Sequence, residues 1–309
     1  MVKLRVPAAL AAGVRLLTMG VLCCAAVVPR NLTPYTELSP AAFWVLCSAV
    51  LGLAASSAHG QIAQLPERAD DLHHGHHMNI PLGEAECAPQ YTYSDGAHGP
   101  GNWAGACRAG RMQAPIDVVK PTRMPINNLK FGYQLVDLDV VNDCNQYRIA
   151  VKLPDNDWLK IGRKPYFLSE VHFRTPGENA VKGKRPPMSI QFLHLSAEAQ
   201  IFMIEVPVIA GKENPAFKTL LEHIPAPGKE IKVQGVKFNP MDLLPADRKF
   251  YRFPGSLTTP PYCNEGVTWY VMTHPVEFSA EQIAAYKKYY HDTARPLQAL
   301  NGRPVAESE

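Results

Sequence analysis

The chain has 309 residues, 46% of them apolar, and a formal net charge of +3. That length and composition suit one large globular domain or two small ones, and they exclude a chain too polar to bury a core. The small charge, with no basic stripe interleaved with aromatics, excludes an ordinary nucleic-acid-binding surface, and 28 prolines set between short apolar runs favour a loop-rich β architecture over a helical bundle.

Residues 1–60 read as a targeting region. A first apolar run at 16–28 follows Lys3, Arg5 and Arg15, and a second at 41–55 ends in small residues. Both runs are short for a bilayer span, so the mature protein is expected to keep no stable membrane span. The small residues after the second run suit a cleavable signal, with cleavage near Ala58 to Gly60. No acidic residue precedes Glu37, so the upstream part reads either as an over-long start or as half of a two-step targeting signal. An uncleaved anchor is the other reading. Export follows, to a periplasm, an organelle lumen or the exterior.

Residues 61–86 read as a polar, flexible linker. It carries His73-His-Gly-His-His77, which can bind a transition metal weakly but has no carboxylate or thiol to fix a geometry. A solvated tail is the plainer reading.

Residues 87–309 read as one strand-dominated α+β domain without internal repeats. Strand-like runs are expected at 135–141, 147–153, 158–161, 167–173, 189–194, 200–208, 231–236 and 266–273, separated by turns such as 154–157 and 176–179. Helices are expected at 215–223 and 280–290. The second has Ser279 as N-cap and Ile283, Tyr286 and Tyr290 at helical spacing. Cys87, Cys107, Cys144 and Cys263 remain after the targeting region, an even number in an exported chain, so two disulfides are expected with three pairings open.

The domain's most informative stretch is Leu168-Ser-Glu-Val-His-Phe-Arg-Thr-Pro-Gly-Glu-Asn179. On an extended strand Glu170, His172 and Arg174 share one face and Val171 and Phe173 the other. A metal strand would place two imidazoles at His-x-His, about 7 Å apart. Here the second position is Arg174.

The segments Gly99-Pro-Gly-Asn-Trp103, Gln113-Ala-Pro-Ile-Asp117, His172-Phe-Arg-Thr-Pro-Gly-Glu178, Lys212-Glu-Asn-Pro-Ala-Phe217, Tyr251-Arg-Phe-Pro-Gly-Ser256, Gly255-Ser-Leu-Thr-Thr-Pro-Pro261 and Arg295-Pro-Leu-Gln298 occur in this order. In order and spacing the chain resembles the alpha-class carbonic anhydrases, especially the exported bacterial-like branch, from about Tyr91 to Val305. The resemblance implies a large twisted, mostly antiparallel sheet with a conical pocket at its centre. It also implies a Cys107–Cys263 disulfide, leaving Cys87 to pair with Cys144. In that family three imidazoles hold Zn²⁺, whose bound water has a pKa near 7 and attacks CO₂ as hydroxide. A Thr–Glu pair orients the hydroxide and a His relays the proton.

Carried onto this chain, the pattern departs at the metal. His172 matches the first ligand, Arg174 replaces the second, and Gln191 replaces the third within Met188-Ser-Ile-Gln-Phe-Leu-His194. Ser189 stands where a ligand-orienting Glu is usual, and His194 lies on the other strand face. Asn145 occupies the proton-relay position, Glu170 replaces a Gln and Asn179 a His, while Tyr262 is an extra residue before Cys263. Thr258 and Glu178 survive as the hydroxide-orienting pair, and Leu193, Leu257 and Trp269 as the pocket wall. The expectation is a carbonic anhydrase-related protein with no zinc and no CO₂ hydration. It would act as a binding or structural module for a protein partner or a small anion, with His172, Arg174, Gln191 and Glu170 lining the pocket. Arg174 is expected either to form an inward ion pair with Glu170 or Glu178 or to present donors to an anion. The alternative is a working zinc enzyme, converting CO₂ and water to bicarbonate and a proton, with rearranged ligands.

Overall fold

The computed structural model describes residues 87–126, 128–154 and 157–309. The targeting region at 1–60, the histidine cluster at 73–77 and part of the turn at 154–157 lie outside the described residues.

In chain order the strands are β1 (Asp117–Val118), β2 (Thr122–Met124), β3 (Leu129–Gly132), β4 (Val136–Asp143), β5 (Arg148–Lys152), β6 (Trp158–Ile161), β7 (Lys164–Arg174) and β8 (Ala180–Val181). They continue with β9 (Met188–Leu195), β10 (Ile201–Ala210), β11 (Glu230–Phe238), β12 (Phe250–Ser256), β13 (Glu265–Met272), β14 (Val276–Phe278) and β15 (Ala306–Ser308). The helices are α1 (Ala106–Ala109), α2 (Pro215–Leu221) and α3 (Ala280–Lys287). Among the described residues thirteen strands form one sheet, whose central path runs β11-β4-β5-β7-β9-β10-β13-β12-β15-β2. Most pairs are antiparallel; β10–β13, β10–β14 and β15–β2 are parallel. No helix among the described residues is long and apolar enough to cross a membrane.

Every expected strand is present, that at 158–161 with its expected bounds and the others with shifted ends. The run expected from 135 starts at Val136, because Val136, Leu138 and Val140 point inward and Leu135 falls on the outward parity at 63% exposure. The short strands β1, β2, β3, β8, β14 and β15 were not expected, and the longest strand not expected is β12. Its Pro254 discourages a strand reading, yet β15 pairs only with Tyr251 and Arg252 of β12, so no ladder partner is needed at Pro254 on that side.

Central strands β7 and β9 separate two apolar layers. Val171, Phe173, Ile190 and Phe192 point into the larger, with Phe217 and Tyr286 from the helices. Each such fully buried aliphatic or aromatic side chain contributes about 1.5–3 kcal/mol. Leu193, Met203, Phe253, Leu257 and Trp269 form the other. The expected Ser279 cap is present as a capping box with Gln282. Gln282 also accepts from the Asn214 N–H at 2.9 Å and donates to the Asn214 carbonyl at 2.8 Å, tying α3 to the start of α2. Gln282→Ala is therefore expected to lower stability by about 2 kcal/mol, in urea denaturation, since it breaks a cap and leaves two half-buried backbone groups without their partner.

Candidate functional site

The site lies where β7 and β9 pair. A bulge at Ser169 shifts the register: Leu168 is opposite His194, and then Glu170 is opposite Leu193. The extra residue turns Leu168 into the core and Glu170 to the opposite face, so the next three polar positions point one way. His172 is then opposite Gln191, and Arg174 opposite Ser189. His194 lies on the core face, as its parity requires, where the Tyr133 hydroxyl meets its Nε2 at 2.7 Å.

One hydrogen-bonded chain crosses the floor. Arg148 Nη1 donates to Glu170 Oε1 at 2.7 Å, and His172 Nδ1 lies 2.9 Å from the same oxygen. His172 Nε2 meets Gln191 Oε1 at 2.7 Å. The Gln191 amide N–H donates to Glu178 Oε2 at 2.7 Å, and the Thr258 hydroxyl donates to that oxygen at 2.8 Å. The order of partners fixes the protons. Because the Gln191 amide donates to Glu178, its oxygen must accept, so His172 carries hydrogen on Nε2. Nδ1 faces the Glu170 carboxylate without a hydrogen bond, and the contact becomes an ion pair only where the ring is protonated. Burial pulls the His172 pKa below its usual value, and the attraction of Glu170 opposes this.

Arg148, on β5, takes the ion pair with Glu170 that the sequence suggested for Arg174. Arg174 is only 1% exposed and turns toward the N-terminal segment. Its Nη1 donates to the Tyr93 hydroxyl at 3.1 Å and to the Gln146 carbonyl at 3.4 Å, and its guanidinium lies 5.8 Å from the Tyr93 ring centroid. Burial opposes its charge, but Tyr93 and Glu178 outweigh that and raise its pKa, so it stays charged. Asn145 is outside this chain of bonds: its side-chain oxygen accepts from the Ala88 N–H at 3.2 Å, next to the disulfide.

A second buried carboxylate, Glu205 on β10, is opposite Gln191. It accepts from the Glu178 N–H at 2.9 Å and from the Asn179 amide. Burial raises its pKa, with the Asn179 and Ser189 hydrogen bonds pulling the other way. It stands beside the position that Ser189 fills without a charge, and it fixes the turn that presents Glu178.

The three residues expected at the pocket wall are buried in the smaller apolar layer. Leu193, Leu257 and Trp269 pack with Met203 and Phe253, and the Trp269 indole N–H donates to the Ser256 carbonyl at 2.9 Å. A Cβ at Gly255 would meet Trp269 at 2.8 Å, which explains the glycine in the Gly255-Ser-Leu-Thr motif. Thr258 enters from the turn after β12, closed by Tyr262 and Cys263 N–H groups on the Thr259 carbonyl. The disulfides are Cys87–Cys144 and Cys107–Cys263.

Sequence reasoning missed Arg148, Tyr93 and Glu205. Glu205 left a readable mark, a lone acid inside the apolar run Ile201-Phe-Met-Ile-Glu-Val-Pro-Val208. Arg148 and Tyr93 left none, because their partners are distant in the chain.

Residues 98–309 match the family model for eukaryotic-type carbonic anhydrase. A carbonic anhydrase of Klebsiella pneumoniae is 31% identical over 227 residues, covering 71% of this chain and 92% of that protein. The alpha-carbonic anhydrase structure from Photobacterium profundum superposes with a TM-score of 0.66 at 36% identity, covering 71% of this chain and all of that one. Dioscorin complexed with ascorbate superposes with a TM-score of 0.63 at 26% identity, covering 70% of this chain and 97% of that one. The twisted sheet, the placement of Thr258 and Glu178 against the β7–β9 floor and these likenesses agree: the chain belongs to the alpha-class carbonic anhydrase family.

Proposed function

We propose that this member of the family is a zinc-free binding module rather than a CO₂ hydratase. The observation that carries the reading is the 2.7 Å contact of His172 Nε2 with Gln191. A metal ligand must present a lone pair, and this nitrogen presents a hydrogen to an amide oxygen instead. The other two ligand positions do not fit zinc either. Gln191 is a weak donor to zinc, and Arg174 is a fixed cation without a usable lone pair. A cation near Zn²⁺ adds repulsion of about 4 kcal/mol per unit charge pair at 4 Å and an effective dielectric of 20. Thr258 and Glu178 keep their bond, but Glu178 now also holds Gln191. Without metal hydroxide, Thr258 has no adjacent base to make it a nucleophile.

The module's occupant is a small anion, and a protein partner is the other reading the sequence keeps open. Dioscorin, solved with the organic anion ascorbate, supports a small-anion role for this scaffold. Export through a signal cleaved near Ala58 to Gly60 belongs to the same proposal, and two disulfides support an oxidising destination. The alternative, a zinc enzyme with rearranged ligands, would have to recruit carboxylates already bonded to Arg148, Gln191 or Asn179. Elemental analysis with stopped-flow CO₂ hydration on the purified protein tests the proposal. The expected result is substoichiometric zinc and a rate at the buffer background; one tight zinc per chain with turnover would overturn it.

A further inference from the structure

We propose that the Nε–Nη2 edge of Arg174 is a seat for a small planar carboxylate-type oxyanion, bound through two parallel N–H bonds; this deepens, and rests on, the zinc-free reading of the pocket. Both hydrogen bonds of the guanidinium leave from Nη1, and both go to uncharged acceptors, Tyr93 and Gln146. Nε is buried with no hydrogen-bond partner, and Nη2 makes no hydrogen bond among the described residues. The Nε and Nη2 hydrogens lie along one edge of the planar group, spaced to meet the two oxygens of a carboxylate. A buried cation with only neutral partners, and an orphaned donor beside them, is the arrangement in which an interior ion or water completes the bonding.

Among the described residues neither neighbouring carboxylate forms an ion pair with Arg174. Glu170 is engaged by Arg148 and lies against His172. Glu178 is tied through Oε2 to Gln191 and Thr258, its Oε1 is buried without a hydrogen-bond partner, and it attracts Arg174 without an ion pair to it. Ser189, opposite Arg174 in the ladder, adds no charge to the same face and turns its hydroxyl to Glu205. Tyr93 sets the orientation of the fork, holding Nη1 while the buried Nε keeps no partner. Two oxygens matched to two donors make the seat selective for carboxylate over a spherical halide, and an ammonium in place of the fork cannot reproduce it. The acids nearby keep the affinity modest, on the order of millimolar.

The test follows the Arg174 Nε–H resonance in ¹⁵N-labelled wild-type protein during titration with sodium acetate, with sodium chloride at matched ionic strength as control. A saturable shift with acetate alone is expected, and Arg174→Lys should weaken acetate binding at least about tenfold, read by calorimetry. The wild-type titration needs no variant to fold. No shift by about 100 mM acetate, the mark of an ordered water only, would overturn the proposal, as would an equal response to chloride or undiminished acetate binding by Arg174→Lys. Zinc measured on the same sample separates the failures. Stoichiometric zinc sinks the zinc-free reading itself, whereas metal-free protein without an acetate response sinks this inference alone.

Discussion

Arg174→His together with Gln191→His is expected to take up about one zinc per chain, where the native protein and either single variant stay well below that. The scaffold supports this because position 174 shares a strand face with His172, and position 191 is opposite His172 in the β7–β9 ladder. Three imidazoles would then converge from two strands. Two are too few for the coordination such sites use. Hydration of CO₂ should appear in the double variant but remain slow. Asn145 cannot relay a proton, and Ser189 gives the new ligand no carboxylate, a kind of loss that costs about 10–100-fold in affinity or activity. Elemental analysis and stopped-flow hydration read both results. A double variant that stays metal-free would show that Arg148, Glu170 and their neighbours hold His172 too firmly for a metal to claim it.

Stability is expected to fall on acidification below about pH 6.5, largely through His194. Burial lowers its pKa to about 3. A depressed histidine leaves the folded state unprotonated where the unfolded chain takes up a proton. Its stabilising contribution is therefore full above the unfolded pKa and is lost as the pH falls through the window down to about 3. The whole shift corresponds to roughly 5 kcal/mol at 1.36 kcal/mol per pH unit. His172 acts in the same direction. Glu205, whose pKa is raised, acts in the other: its contribution is largest in acid and is lost as the pH rises through its folded pKa. His194→Gln keeps an acceptor for the Tyr133 hydroxyl but cannot titrate. Between pH 7 and pH 5, urea denaturation should show wild-type protein losing about 2 kcal/mol more than the variant. Equal losses would move the acid sensitivity to other groups.

The fold was legible wherever burial follows strand parity. Strands β4, β7, β9, β10 and β13 announce themselves by apolar runs bounded by turns, and the Ser279 cap by its position before α3. Strand β12 was hidden by Pro254, which is tolerated only because β15 ends short of it, a fact of topology. The face shared by Glu170, His172 and Arg174 was legible from alternation, but the Ser169 bulge that directs Leu168 the other way was not. The partners of Arg174 were misjudged for a similar reason. A carboxylate four residues away on the same face looks like the natural mate, yet Arg148 on the adjacent strand reaches it first, and Tyr93 comes from 81 residues away. Parity assigns faces; it does not rank competing long-range partners.

The chain of bonds from Arg148 to Thr258 also bears on how such a site could change over generations. Each link serves the next, so Gln191→His alone would remove the donor to Glu178 and the acceptor for His172 before any metal could replace them. Arg174→His alone would strip the donor from Tyr93 and Gln146 for no ligand set in return. On the zinc-free reading, a stepwise path toward a zinc site would run through intermediates worse than either end, a fitness valley built from side-chain amides and carboxylates. On that reading, a path to three imidazoles would need simultaneous changes on two strands.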